Sequence, residues 1–506
     1  MKKILILTLA LLMLLGTLAA CNTPSPDLPE EQTTLQETPV PVIPPEQVVE
    51  ALAPNATVMQ TGMATKQVIL PTDDIEAAAK AFSDAGYASV SAALVTGAKI
   101  ETRVMFADDV LITLQKTESA LYIIWEGFEK DLLSLLSPNP ATGTGSVTLA
   151  QIGVEREQES DNPMIGMCYI YKLSDGSAVI IDGGMPTDSC ASNVYNTLKK
   201  LDIAKDEQGR YRITAWIISH GHKDHRGTLN RFGKLYKDQS TLKYFMYNFP
   251  LGELSTSDFD VPGYVEKIQN HYPDAKQIYP HAGLQYHLDN LTLQILYSPE
   301  MIYAPDQQIA YYNDSCLIVM AECNGTRVLH MGDAGEIAAT AAWAAYKELA
   351  FKADALQITH HGLYTGSESH IWKNIKKIYN ATDATIGLLP MGSRKPNDSR
   401  NGRHTVLIGW GGANYQVSYI VNKKDNHDTG NSSGQEYYNQ FVANVAAGTS
   451  EFKTLWGYDG INTVDNGKGL LTYLSCNENA PMVTLITLSK DGARVESNQA
   501  LYDWLN

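Results

Sequence analysis

Short apolar runs that end in Gly, His or Asp alternate with helical segments through the middle of the chain. Four of them are SAVIIDGG, ITAWIISHGH, TRVLHMGD and ALQITHHG. Continuous apolar runs of this length are typical of buried strands, and each delivers polar residues at its carboxyl end. Because α/β proteins commonly build sites at strand ends, the pattern predicts an α/β fold with a site assembled from several strands.

Residues 48–136 have a different pattern, which predicts a small α+β domain. Asp73 followed by Glu76 is typical of a capping box and predicts a helix over Ile75–Ala85. Three alternating stretches then predict antiparallel strands: 99–107, 109–116 and 120–127. The range contains no histidine. We therefore expect a packing or positioning role for it.

The stretch SPNPATGTGS at 137–146 is a linker signal because it combines Pro, Gly and Ser. We expect the main domain to follow over residues 147–425. The tail, 426–506, begins with a polar loop and contains the strand-like MVTLITLS. It either completes the main domain or extends it.

The first residues predict export. Lys2 and Lys3 precede an apolar run, Ile4–Leu15, that is shorter than the roughly 20 residues of a membrane-spanning helix. Leu-Ala-Ala-Cys21 resembles the bacterial lipobox, which implies a signal peptide over 1–21 and acylation of Cys21. The chain would then be anchored to the outer face of the cytoplasmic membrane. A plain signal peptide cut near Ala20 is the alternative.

Residues 22–47 are rich in Pro, Glu and Thr and lack aromatic residues. This composition predicts a disordered tether. The formal net charge of the chain is -17, which argues against tight sequence-independent binding to nucleic acid but leaves nucleic acid open as a substrate. The cysteines after Cys21 are odd in number and widely spaced, so we expect small buried side chains rather than disulfides or a cysteine zinc site.

The strongest chemical signal is His220-Gly-His222-Lys-Asp224-His225, which directly follows a strand-like run. The chain has 12 histidines, and three of them lie in these six positions. Imidazole nitrogens and carboxylate oxygens are ligands that suit Zn²⁺, Mn²⁺ and Fe²⁺. The loop therefore predicts a metal site.

The HxHxDH pattern resembles the defining motif of the metallo-β-lactamase superfamily. The resemblance implies an αββα sandwich with one or two metal ions, Zn²⁺ first among them, at the edge of the sheets. His220 and His222 would bind one ion, and Asp224 and His225 would bind the other. Asp224 would also orient the attacking water.

Further family elements follow in the expected order. VIIDGG, with Asp182, resembles the early strand whose aspartate braces the histidine loop, and LHMGD, with Asp333, resembles the strand whose carboxylate bridges two metals. His330 lies inside that second strand, and we interpret it as structural.

ADALQITHHG resembles the His-His-Gly branch of the superfamily, which includes the hydrolase domains of DNA-uptake competence proteins and the phosphorylcholine esterases. Of His360 and His361, one would complete the metal shell and the other would face the substrate as a catalytic group. We favour His361 as the ligand. Asn313, Ser315 and His404 echo other elements of the branch and are expected to support the site from outside the ligand shell.

One departure from the family concerns a metal-binding histidine that often lies between the histidine loop and Gly-Asp. His271, His281, His287 and His330 occupy this interval, and none has a typical setting. His281 is the best candidate. The number of metal ions, one or two, therefore stays open.

The resemblance implies a hydrolase that uses a metal-bound hydroxide. Phosphoester or phosphodiester hydrolysis is the first choice, with a small-molecule or cell-wall-associated substrate. Lactone, amide or ester hydrolysis is the alternative within the fold, and the missing histidine argues against β-lactam hydrolysis. A non-catalytic metal-binding lipoprotein is the alternative from another class. No oligomeric state is predicted.

Overall fold

The computed structural model describes residues 41–140, 143–154, 166–251, 259–304, 309, 311–362, 373–390, 405–407, 419–421, 463–465, 471–474 and 481–506. The predicted signal peptide, Cys21, most of the tether and His404 lie outside the described residues. Among the described helices, none combines the length and apolar character needed to cross a membrane.

An antiparallel sheet comes first along the chain, in the strand order β1-β2-β6-β5-β4-β3. Its strands are β1 (Met59–Gln60), β2 (Thr65–Leu70), β3 (Ala88–Val90), β4 (Glu101–Ala107), β5 (Val110–Lys116) and β6 (Leu121–Gly127). Two helices, α1 (Pro45–Leu52) and α2 (Ile75–Asp84), pack on one face of this sheet. The α+β character predicted for this region is confirmed, whereas the domain boundaries stay a prediction.

Two details differ from the sequence-based expectations. The tether was expected to reach residue 47, but α1 begins at Pro45 because proline suits the first helical turn and because Val48 and Val49 are buried in the apolar core of this sheet. Helix α2 is capped by Asp74 rather than Asp73, since the Asp74 carboxylate accepts a hydrogen bond from the Ala77 N–H at 2.9 Å.

Two eight-stranded sheets form the main body. The first has the order β12-β11-β10-β9-β8-β7-β23-β24. Its strands are β7 (Val147–Ile152), β8 (Cys168–Lys172), β9 (Ala178–Asp182), β10 (Tyr211–Ile218), β11 (Ser240–Tyr247), β12 (Lys276–Ile278), β23 (Met482–Ser489) and β24 (Gly492–Ala500). Because β23 pairs with β7, this part of the tail belongs to the sandwich.

The second eight-stranded sheet has the order β13-β14-β15-β16-β17-β18-β22-β21. Its strands are β13 (Gln285–Leu288), β14 (Leu291–Tyr297), β15 (Ile318–Cys323), β16 (Thr326–His330), β17 (Ala355–Gln357), β18 (Ile386–Leu389), β21 (Thr463–Asp465) and β22 (Leu471–Leu474). A separate pair consists of β19 (Thr405–Leu407) and β20 (Tyr419–Val421).

Strand β9 illustrates how the layers form. Val179 and Ile181 point into the core between the two sheets, whereas Ala178 and Ile180 face the helices, because side chains alternate along a strand. The helices on that outer face are α3 (Asp188–Lys200), α4 (Lys223–Tyr236), α5 (Val261–His271) and the short α8 (Leu501–Leu505). The other outer face packs against α6 (Glu336–Ala345) and α7 (Lys373–Thr382). The predicted αββα sandwich is confirmed.

A buried ionic cluster lies where the N-terminal sheet meets the sandwich. The His281 ring stands between Glu126 of β6, 3.1 Å from its Nε2, and Glu300, 3.4 Å from its Nδ1. Gln67 of β2 donates to the Glu300 carbonyl, and Asn248 donates to the Glu300 carboxylate at 2.7 Å. The two carboxylates approach opposite ring nitrogens, so this arrangement is an ion-pair bridge rather than a set of ligands converging on one metal.

The bridge governs the protonation of His281. Burial alone lowers the pKa of this imidazole, but the carboxylates of Glu126 and Glu300 outweigh burial and raise the pKa to about 10. His281 is therefore a buried cation at neutral pH. His281 is not among the described groups of side chains that could hold a metal, and its two ring nitrogens face different glutamates, which argues against it as the missing ligand.

We predict that His281→Gln lowers the free energy of unfolding by about 3–5 kcal/mol at neutral pH, because it leaves two buried carboxylates without their cation. A histidine whose pKa is raised stabilises the fold fully below its ordinary pKa of 6.5, and this contribution is lost as the pH rises to about 10. The difference in the free energy of unfolding between variant and wild type, measured by urea unfolding, should therefore shrink as the pH rises from 6.5 to about 10.

The matched control is His271→Gln, at the end of α5, where the ring forms a hydrogen bond with the Asn230 side chain at 3.2 Å. Equal unfolding free energies for His281→Gln and the control at neutral pH would contradict the ion-pair bridge. Unchanged metal content in His281→Gln is expected as well.

Candidate metal centre

The predicted site residues lie at one end of the sandwich because neighbouring parallel strands end there. In the first sheet β9 pairs in parallel with β10, so Asp182 and the histidine loop leave the same edge. In the second sheet β16 pairs in parallel with β17, so Asp333 and the His360-His361 pair leave the facing edge. The two edges bring residues that are distant in sequence into one buried volume.

One group of metal-ligating side chains consists of His220, His222 and Asp333, here called the first cluster. Their ligand atoms lie within 4.8 Å of one another. His220 Nε2 is 2.9 Å from His222 Nδ1 and 3.7 Å from Asp333 Oδ2. Burial, together with His225 and His222, holds the pKa of His220 well below its ordinary value, so its ring is neutral and carries a lone pair for a metal.

The second cluster consists of Asp224, His225, Asp333 and His361, all buried, again with ligand atoms within 4.8 Å. His225 Nε2 is 3.2 Å from Asp333 Oδ1, and His361 Nε2 is 3.2 Å from Asp224 Oδ2. Asp333 belongs to both clusters, with Oδ2 towards His220 and Oδ1 towards His225. The carboxylate predicted to bridge two metals therefore stands between two ligand sets.

The donor set fits a divalent metal. His225 Nε2, Asp333 Oδ1 and His361 Nε2 are buried atoms that have no hydrogen-bond partner within the described part of the chain. Buried polar atoms are normally paired, and charged ones especially so. Imidazole nitrogens and carboxylate oxygens converging from two sides suit Zn²⁺, Mn²⁺ or Fe²⁺. A cation among these atoms would satisfy all three.

Asp182 holds the histidine loop from behind. Its carboxylate accepts hydrogen bonds from the Ser219 N–H at 2.8 Å and the Ser219 hydroxyl at 2.9 Å, and it lies 2.8 Å from His225 Nδ1. Binding Nδ1 orients the ring so that Nε2 points at the second cluster. Asp182 itself lies outside both clusters.

The two histidines after β17 differ in their surroundings. His361 is buried, and its Nδ1 donates to the Pro390 carbonyl at 2.6 Å, which leaves Nε2 for the second cluster. The His360 side chain is 19% exposed, and its Nε2 lies 3.7 Å from Asp333 Oδ2. The structure thus places His361 in the second cluster and leaves His360 partly exposed beside Asp333.

Both histidines have left-handed backbone conformations, with φ of 49° and 54°. Such conformations cost about 1–3 kcal/mol each and persist only where the surrounding structure holds them. Here the His360 N–H donates to the Gly332 carbonyl at 2.9 Å, and the Thr359 hydroxyl donates to the Ala334 carbonyl at 2.7 Å. These bonds tie the histidine pair to the Gly332-Asp333 turn.

The remaining predicted residues that the structure describes are Ser315, Asn313 and His330. Ser315 donates its hydroxyl to the Tyr312 carbonyl at 2.7 Å and so stabilises the 3-10 turn Tyr312–Ser315. Asn313 lies in the same turn. His330 is buried in the sandwich, hydrogen-bonded to Tyr171 and packed against Tyr169, in agreement with a structural role.

Two positioning residues have no sequence signal. Gln357, at the end of β17, accepts from the N–H groups of Met331 and Gly332 at 2.7 and 2.6 Å and therefore fixes the turn that presents Asp333. Cys316 accepts from the Asp333 N–H through its sulfur at 3.2 Å. No local sequence pattern indicates this role of Gln357, because the role depends on contacts with a turn that is distant in sequence.

Arg226 is a third residue that the sequence did not single out, although it directly follows the motif. Its Nε donates to the Gly221 carbonyl at 2.6 Å, in the middle of the histidine loop. The guanidinium carbon lies 3.7 Å from the centre of the Phe259 ring. Gly221 is required here, since a Cβ would come within 2.8 Å of Tyr312 and 2.9 Å of Phe259. Arginine and two aromatic rings thus border the loop.

Comparisons with known proteins agree with this geometry. The family model described as "Metallo-beta-lactamase superfamily" matches residues 161–242, a segment that contains the histidine loop. A search of curated proteins gave no match.

Two similar solved structures are the metallo-beta-lactamase fold protein YhfI from Bacillus subtilis and Zn(2+)-bound PqqB from Methylobacterium extorquens. The first is 14% identical, with a TM-score of 0.31 over 49% of this chain and 86% of that one. The second is 11% identical, with a TM-score of 0.28 over 42% of this chain and 72% of that one. Neither similarity carries an argument about activity.

The match of residues 161–242 to the metallo-β-lactamase superfamily model agrees with the αββα sandwich and with the two His/Asp clusters.

Proposed function

We propose that the chain is a metal-dependent hydrolase of phosphoesters or phosphodiesters that acts outside the cytoplasmic membrane. The observation that carries the proposal is the position of Asp333, which is shared between two adjoining ligand clusters. Paired metal sites about 3.5–4 Å apart are typical of enzymes that cleave phosphoesters, because the two ions hold the attacking and the leaving oxygen. The likeness to the His-His-Gly branch, described above, supports the same reaction.

The metal, when bound, would polarise the phosphoryl group and lower the pKa of water towards neutrality. The chain's own residues would supply position and protons. Asp224 would orient the attacking water from the second cluster, while Asp182 keeps the His225 ring in place. Both roles require the buried, hydrogen-bonded geometry described above.

His360 is the better candidate for meeting the leaving group. A general acid must reach the substrate, and the His360 side chain is partly exposed, whereas His361 is buried and bonded to the Pro390 carbonyl. Arg226 places a positive charge beside the histidine loop, where its Nε donates to the Gly221 carbonyl. This charge supports an anionic substrate, since guanidinium groups bind phosphates well.

The proposed location rests on the sequence alone. Lipidation of Cys21 would anchor the chain at the outer face of the membrane, with the substrate a small molecule or a component of the cell wall. Membrane fractionation of a Cys21→Ser variant tests this part: the variant should move to the soluble fraction, and retention at the membrane would contradict it.

We predict that His222→Ala abolishes turnover of bis-p-nitrophenyl phosphate while the thermal unfolding profile is retained, because the first cluster loses a ligand. The control His271→Ala should keep wild-type turnover. Wild-type activity of His222→Ala would contradict the proposal. Turnover of p-nitrophenyl acetate or nitrocefin, without turnover of any phosphoester, would instead favour ester or lactam hydrolysis. Bound metal without turnover of any of these substrates would favour a metal-binding protein that is not an enzyme.

A second prediction separates the two adjacent histidines. His360→Gln should lower kcat by about 10²- to 10⁴-fold for methyl aryl phosphates that have a poor leaving group. The loss should be smaller for methyl p-nitrophenyl phosphate, because p-nitrophenolate leaves without a proton. Metal content should stay at the wild-type level. His361→Gln should instead lower metal content. Equal losses of kcat for good and poor leaving groups in His360→Gln would contradict its role as the acid.

A further inference from the structure

The two ligand clusters are unequal. Among the described His, Cys, Asp and Glu side chains, the second cluster has four members, whereas the first has three: His220, His222 and the shared Asp333. The four histidines between the histidine loop and Asp333 are all engaged elsewhere: His271 with Asn230, His281 with Glu126 and Glu300, His287 with Thr292, and His330 with Tyr171. No histidine of this interval completes the first cluster.

The turn Tyr312–Ser315 lies between the two elements that supply the first cluster. On one side, the Tyr312 ring packs edge-on against the His222 ring at 5.4 Å between centroids. Leu317, just after the turn, donates its N–H to the Ser219 carbonyl at 2.9 Å. On the other side, Cys316 accepts from the Asp333 N–H. Residues 312–317 are therefore held against both the histidine loop and the Gly-Asp turn.

Asn313, within this turn, has an unsatisfied acceptor. Its Oδ1 is buried and has no hydrogen-bond partner among the residues that the structure describes. Leaving a buried acceptor unpaired costs about 1–3 kcal/mol. The neighbouring side chain of Ser315 is satisfied within the turn, which leaves Asn313 Oδ1 as the acceptor to be explained.

We propose that Asn313 is a metal ligand whose Oδ1 completes the first cluster in the place of the missing histidine. Amide oxygens are metal ligands in proteins, and they suit harder cations such as Mn²⁺ better than imidazole does. A set of two imidazoles, one carboxylate and one amide oxygen therefore favours Mn²⁺ in the first cluster more than a three-histidine set would. The inference rests on the metal-binding part of the proposed function and does not depend on hydrolysis.

The test is calorimetric titration of metal-free protein with Zn²⁺ and with Mn²⁺. Variants are Asn313→Ala, Asn313→His and the control Asn374→Ala, whose side chain bonds Thr340 on the outer helices. Loss of a residue that merely supports a ligand weakens metal binding about 10–100-fold, so loss of a ligand should cost at least about 10-fold. For Asn313→Ala we expect one of the two metal-binding events to be weakened by at least about 10-fold and the other to keep its wild-type affinity.

Asn313→His should restore the weakened event for Zn²⁺ and lower the preference for Mn²⁺, because imidazole replaces an oxygen ligand. This variant keeps the proposal falsifiable if Asn313→Ala folds poorly, since a purely structural asparagine gains no zinc affinity from a larger ring. Wild-type metal affinities in both variants would overturn the proposal. An unchanged metal affinity together with a raised KM would also overturn it, because Asn313 would then contact the substrate rather than the metal. Altered metal affinity without any phosphoester turnover would retain the ligand and reject the proposed reaction.

Discussion

The Asp333 carboxylate is the point on which the rest of the site depends. It is buried, it reaches His220 with one oxygen and His225 with the other, and Oδ1 has no hydrogen-bond partner in the described chain. Burying a charge is costly unless it is paired. Gln357 and Cys316 nevertheless hold the turn so that this carboxylate points between the two clusters. A metal ion bound between the two clusters would offset the cost of burying this charge.

The sandwich supplies this geometry at the edges of its two sheets. Parallel pairing of β9 with β10, and of β16 with β17, sends four loops to the same end. The backbone bears strain there, with left-handed conformations at Asp182, His360 and His361. The Glu126-His281-Glu300 bridge joins the N-terminal sheet to the sandwich at the same end, because His281 follows β12, which runs parallel to β11 and β10. The residues of this bridge are distinct from those of the two clusters.

The sequence predicted the features whose signals are local. Four ligands within the six residues from His220 to His225 could be read directly, as could the buried strands that precede them. Contacts between distant segments could not be predicted, because no local pattern encodes them. His281 is a ligand candidate by its place in the sequence, but Glu126, which is far away in sequence, lies against its ring. Gln357 has no sequence signal, because its partners are in a distant turn. The capping residue of α2 differed by one position because adjacent aspartates compete for the same role.

The most direct test of the shared carboxylate is anomalous diffraction from crystals of the zinc-loaded protein, with data on both sides of the zinc absorption edge. We expect two anomalous peaks: one among His220, His222 and Asp333, and one among Asp224, His225, Asp333 and His361. Asp333 should contact both ions. Zinc bound away from these residues, or two ions without Asp333 between them, would contradict the account.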